Sequence, residues 1–196
     1  MSELLAHIYN SIDESCRVKQ ELRTACAEEI ITAARWMAGT IKKGGRILAC
    51  GNGGSAADSQ HLAAELVGRF KTDRKPLPAI ALTTDTSIIT SIANDYGYDQ
   101  IFARQVEAHG TKKDLLIIYT TSGNSQNVIE AAKTAKKIGM KTIGITGSGG
   151  GKLKRHADLL IAVLATSTPR IQEAHTTISH ILCELVERLL NLTLKD

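Results

Sequence analysis

Apolar residues recur every three or four positions through the first forty residues. Leu22, Cys26, Ile30, Ala33, Met37 and Ile41 form one stripe, and Leu4, Leu5, Ile8 and Ile12 an earlier one. That period predicts helix. The polar stretch from Asp13 to Arg17 is expected to bend or break it between the stripes, and Gly44-Gly45 to end it. Beyond residue 44 short apolar runs alternate with helical patterns. The runs are Arg46 to Cys50, Ala79 to Leu82, Leu115 to Tyr119, Thr142 to Thr146 and Leu159 to Val163. Several are unbroken, as expected of strands covered on both faces. Between and after them, helical spacing predicts Ala56 to Arg69, Ser87 to Asn94, Ile101 to His109, Ser125 to Ile138 and Arg170 to Leu194. Strand alternating with helix implies a doubly wound parallel α/β sheet with right-handed crossovers and helices on both faces. The chain reads as one domain over 1–196, with an N-terminal helical extension over 1–43 and an α/β core over 44–196.

Composition narrows the class. With 43% hydrophobic residues and a net charge of +4, whole-chain disorder is excluded. The longest apolar runs are about five residues, against about 20 for a membrane span. The opening MSELLAHIYN lacks the basic stretch and apolar block of a leader, so a cytoplasmic location is expected. The positive charge is scattered and aromatics are 4%, so nucleic-acid binding is not expected. Cys16, Cys26, Cys50 and Cys183 show no CxxC spacing and read as reduced thiols.

In an open parallel sheet ligands bind at the carboxyl ends of the strands. Two of the loops there stand out. Gly51-Asn52-Gly53-Gly54-Ser55 joins a strand to a helix, its glycines permitting close backbone approach and positive φ, with Ser55 able to cap the helix. Its spacing fits neither a dinucleotide fingerprint nor a Walker loop, and a tight capped turn is the plain alternative. Thr120-Thr121-Ser122-Gly123-Asn124-Ser125 puts four hydroxyls before a helix start, a pattern suited to phosphate, with a solvated turn as the alternative.

The helix after the first loop carries His61 and Glu65 at i and i+4, on one face and among apolar neighbours. The last helix opens Arg170-Ile171-Gln172-Glu173-Ala174-His175 and reaches His180. Gln172 and His180 lie about 80° apart on an ideal helix and could face one cavity. A His–Glu pair and a Gln–His pair could jointly hold a divalent cation, zinc first, through nitrogen and oxygen ligands. Each pair could equally be a surface or helix-start feature.

Together CGNGGSAAD, the TSGNS loop, Asn94-Asp95-Tyr96-Gly97 and RIQEAH resemble the sugar isomerase (SIS) family over nearly the whole chain. Within it, the resemblance is to the branch that converts sedoheptulose 7-phosphate to D-glycero-D-manno-heptose 7-phosphate, whose next enzymes build heptose for lipopolysaccharide or related glycans. It implies a flavodoxin-like five-stranded sheet and a homotetramer with active sites between subunits. It implies a sugar site at Asn52, Gly53, Gly54 and Ser55, with Asn94 and Asp95 nearby, and phosphate at Thr120, Thr121, Ser122 and Ser125. Glu65 and His180 match the family's acid–base residues. His61, Glu65, Gln172 and His180 match the ligands of its zinc-holding members, and Gln172 also faces substrate. Many members carry an aspartate shortly before the RIQE string, where this chain has Ala165-Thr166-Ser167-Thr168-Pro169 and Asp95 is left to take over part of that role. The rival reading is a non-catalytic SIS binding protein associating with the bacterial replication initiator, a relative that lacks the second helix histidine.

Overall fold

The computed structural model describes residues 2–192. Five parallel strands, β1 (Ile47–Cys50), β2 (Ala79–Ala81), β3 (Leu115–Thr120), β4 (Lys141–Thr146) and β5 (Leu159–Ala162), lie in the order β2-β1-β3-β4-β5. That order is the flavodoxin-like one, with its switch point between β1 and β3. All five predicted strands are present, each shifted by a residue at most at either end.

Seven α-helices flank the sheet: α1 (Glu3–Ala25), α2 (Ala27–Lys42), α3 (Gly54–Val67), α4 (Thr86–Tyr96), α5 (Ala103–His109), α6 (Gln126–Ile138) and α7 (Thr168–Leu189). The end of the expected Arg170 to Leu194 helix, Thr193 and Leu194, lies outside the described residues. Pro169 sits in the first turn of α7, where a missing N–H costs no hydrogen bond. Two short 3₁₀ turns, Tyr98–Gln100 and Gly151–Arg155, were not expected from the pattern.

The strand β3 shows how the core is split. Leu115, Ile117 and Tyr119 point into one cluster with residues of α1, α2, α3 and α7. Leu116 and Ile118 point into the other, against α5 and α6. All five are fully buried, which is why this strand reads as a continuous apolar run.

The N-terminal break falls elsewhere than expected. Asp13 to Arg17 continue α1 without interruption, on a largely exposed face. The chain breaks at Cys26, whose φ of −136° and ψ of −1° leave the helical region. The thiol there donates to the carbonyl of Ala162 at 3.4 Å, a tertiary contact that no local pattern encodes.

Candidate active site

The Gly51–Ser55 loop leaves β1 at its carboxyl end. Gly53 is the N-cap of α3, with a φ of 55° that favours glycine, so the expected cap at Ser55 is corrected to Gly53. Ser55 is instead buried in the first turn. Gly51 and Gly54 serve close packing. A Cβ on Gly51 would sit 2.6 Å from the Ser55 carbonyl oxygen, and one on Gly54 would sit 2.2 Å from Nε2 of Gln172. Asn52 and Asn127 exchange side-chain hydrogen bonds of 2.9 and 2.8 Å, and the Tyr98 hydroxyl donates to Asn52 at 3.3 Å. The loop is therefore held open by polar groups from α6 and the 3₁₀ turn at 98–100. Asn94 and Asp95 end α4, exposed, with the Asn94 amide donating to Asp95 at 2.8 Å.

Across the switch point, Thr120 is buried at the end of β3 and its hydroxyl oxygen accepts from the Gly123 N–H. The Ser122 hydroxyl oxygen accepts from the Asn124 N–H. Both hydroxyl protons stay available to an acceptor. Ser125 occupies the N-cap of α6 with no side-chain cap bond, and Thr121 is half-buried beside it. The first turn of α6 thus presents backbone N–H groups at the positive end of its dipole.

Helices α3 and α7 pack side by side with their residue numbers rising together. Gly54 meets Gln172, Asp58 accepts from the Thr176 hydroxyl at 2.9 Å, and His61 Nε2 lies 3.4 Å from His180 Nε2. One turn further along, Glu65 Oε1 is 3.0 Å from His61 Nε2. The ligand atoms of His61, Glu65 and His180 all lie within 4.8 Å of one another. Glu65 and His180 are half-buried and His61 is exposed, more open than its apolar neighbours suggested. Gln172, about two turns before His180 on α7, sets its amide against Gly54 at the start of α3.

Two ring nitrogens facing each other cannot both present lone pairs; a proton or a cation must sit between them. Two imidazoles and a carboxylate around one point are a donor set that suits zinc or a similar divalent ion. The donor chemistry therefore fits a metal held by His61, Glu65 and His180.

Several supporting residues escaped the sequence reading. Burial pushes the Asp58 carboxyl up, against the lowering influence of the Thr176 bond and of His61, and its Oδ2 is buried with no partner among the described residues. Phe70 packs 5.5 Å, centroid to centroid, from the His180 ring. It is held there by Glu187 of α7, which accepts from the N–H groups of Phe70, Lys71 and Thr72 and from Arg74 Nε at 2.8 Å. Burial pushes the Glu187 carboxyl up, but these donors outweigh it and hold it below the usual carboxylate range. Cys183, one turn beyond His180, is no thiolate: burial and then Glu65 push its thiol up to about 12. The acidic tail of CGNGGSAAD was the one available signal for Asp58; the Phe70 and Glu187 contacts join segments with no shared pattern.

These features have known counterparts. The SIS domain family model matches residues 11–147. A phosphoheptose isomerase from Helicobacter pylori (strain Shi470) is 56% identical over 186 residues, 95% of this chain and 93% of its own. The structure of phosphoheptose isomerase GmhA from Neisseria gonorrhoeae superposes with a TM-score of 0.90 at 44% identity, covering 94% of this chain and 99% of that one. A phosphoheptose isomerase from Francisella tularensis gives 0.92 at 39% identity, covering 96% and 100%. The chain belongs to the SIS domain family and, within it, to the phosphoheptose isomerases.

Proposed function

We propose that this chain is an aldose–ketose isomerase that converts sedoheptulose 7-phosphate to D-glycero-D-manno-heptose 7-phosphate. The observation that carries the reading is the meeting of His61, Glu65 and His180 on α3 and α7, beside a glycine loop at the carboxyl end of the sheet. The names of the relatives point the same way. They do not favour the non-catalytic binding protein, and His180 is present here.

Moving a carbonyl from C2 to C1 takes one proton from carbon and returns it to the neighbouring carbon, through an enediolate. Glu65 is the carboxylate placed for that shuttle. His180 moves protons at the oxygens and at the opening ring. Asn52 and the backbone of Gly53, Gly54 and Ser55 bind the sugar, with Gln172, Asn94 and Asp95 around it. Thr120, Thr121, Ser122 and Ser125 donate to the phosphate at the start of α6. His61, Glu65, Gln172 and His180 would hold one zinc ion per chain, Gln172 also lying at the edge of the sugar site. A bound divalent cation supplies electrostatic stabilisation for negative charge that builds on oxygen.

The working molecule is proposed to be a homotetramer with its sites between subunits. Leu4, Ile8 and Ile12 on α1 are each more than half exposed and α4 buries none of its residues, so apolar surface remains for other copies. A reducing cytoplasm suits four free thiols, three of them buried. No helix among the described residues is long and apolar enough to cross a membrane.

The test is product analysis by NMR with sedoheptulose 7-phosphate in D₂O. Deuterium at C2 of the new aldose is expected. Glu65→Gln is expected to lower kcat by about 10²–10⁴ while substrate still binds. A Glu65→Gln enzyme with near-normal kcat would remove the carboxylate from the chemistry. Elemental analysis of protein purified without chelator is expected to show about one metal per chain, lost in a His61→Ala variant.

A further inference from the structure

A second concave site lies at the other end of the sheet. The turns that enter β1, β3 and β4 surround a pocket of about 410 Å³, floored by the end of α2. That size falls within the about 300–1,000 Å³ usual for small-ligand sites. The residues that enter strands make this pocket, whereas His61, Glu65 and His180 stand beyond the strand exits, so the two sites share no residue.

The lining is chemically lopsided. Arg35, Lys43, Lys112, Lys113 and Lys141 line it, and Asp114 is the one acid in the lining. Asp114 is already spent: one oxygen accepts from the Arg46 N–H at 2.7 Å and the other from the N–H and hydroxyl of Thr111 at 2.8 Å. Among the described residues none of the five cations forms an ion pair or a side-chain hydrogen bond. A chain whose net charge is only +4 has thus gathered five unpaired cations around one hollow.

The remaining wall is Trp36, the one tryptophan in the chain, half-buried on α2. Lys141 Nζ lies 4.0 Å from the centroid of its ring, a cation resting on a π face. An anion that draws Lys141 off the ring would free that face for a flat partner.

We propose that this pocket binds a nucleoside diphosphate, its phosphates on Lys112, Lys113, Lys43 and a Lys141 drawn off the indole, and its base on the face of Trp36 so freed. A sugar monophosphate carries too little charge to engage five cations and has no flat ring for the indole. A nucleic-acid strand needs an extended track of cations and several stacking rings, whereas this site is one hollow with one ring.

Trp36 makes the test direct. ADP is titrated into the full chain with selective excitation of tryptophan, alongside calorimetry. A saturable change in emission is expected, with the same midpoint by heat. Lys112→Ala/Lys113→Ala is expected to weaken binding on the order of tenfold or more, the loss of contacts to a charged group. Inorganic pyrophosphate is expected to bind more weakly than ADP, and Glu65→Gln to bind ADP as the wild type does. Four results at the pocket itself would overturn the proposal. They are no saturable response at millimolar ADP, binding by heat that leaves Trp36 emission unchanged, full affinity in the double lysine variant, and pyrophosphate binding as tight as ADP. Loss of ADP binding in Glu65→Gln would move the nucleotide to the sugar site and equally end the assignment. None of these readouts depends on turnover, so the isomerase reading can fail without touching them.

Discussion

His175 illustrates what a single buried side chain commits the molecule to. It is fully buried on α7, its ring 5.9 Å from that of Tyr119, and among the described residues neither ring nitrogen has a well-formed hydrogen bond. Burial pushes it down to about 4, only partly opposed by the Thr146 backbone. The folded protein therefore keeps the ring neutral where the unfolded chain takes up a proton. Between the ordinary value of 6.5 and about 4 the unfolded state holds more protons, so folding stability from this residue is full above that window and falls as pH drops through it. The loss is about 3 kcal/mol across the window. In urea unfolding near neutrality and near pH 4, a His175→Phe variant is expected to show a pH dependence flatter than wild type by about that amount. A variant that keeps the wild-type slope would acquit His175. The histidine itself stood in view in RIQEAH; its burial did not, because a helix stripe reports direction and not what covers it.

At the scale of elements, the pair α3–α7 decides the site. Gly54 has an ordinary helical backbone, so alanine is permitted there by φ and ψ. The added methyl would still land on the Gln172 amide, the far end of a flexible side chain that can swing away. Gly54→Ala is expected to fold with stability within about 1 kcal/mol of wild type. Its KM for the sugar phosphate is expected to rise, since Gln172 leaves its place beside the loop. Calorimetric unfolding and steady-state kinetics on the same preparation separate the two effects. Much of this level was readable in advance. Continuous runs such as Leu115 to Tyr119 announced buried strands, and the stripe of α2 announced its inward face. The meeting of His61 with His180 was not readable from spacing. They lie 119 residues apart on different helices, and what joined them in the sequence was their ligand chemistry and the resemblance, not a shared pattern. Nor did any pattern announce that the Gln172 amide would rest against Gly54, which belongs to another segment.

For the whole molecule, the apolar surface left over on α1 is the feature with the largest consequence. Leu4 is 78% exposed, Ile8 52% and Ile12 55%, all along one side of a helix whose second half is anchored by Val18 and Leu22. Sedimentation at micromolar concentration is expected to give a tetramer. Leu4→Ser/Ile8→Ser/Ile12→Ser is expected to shift it toward smaller species, with little change in the stability of the isolated fold. If sites are shared between subunits, activity per chain falls with dissociation and recovers at high protein concentration. A wild-type monomer with full activity would rule out the shared-site arrangement.

The in-step pairing of α3 with α7 also constrains how such a chain can be rewired. Asp58 and Thr176 are 118 residues apart in sequence, His61 and His180 119, yet only the two helices have to keep their phase. Everything between them is spacer as far as this seam is concerned. Loops after α4 or β4 could be lengthened, or new termini opened there, without rotating one histidine against the other. One residue inserted between Asp58 and His61, or between Thr176 and His180, would turn every later side chain by about 100°. The seam behaves like a pair of keyed shafts, tolerant of distance along the chain and intolerant of a single tooth out of step.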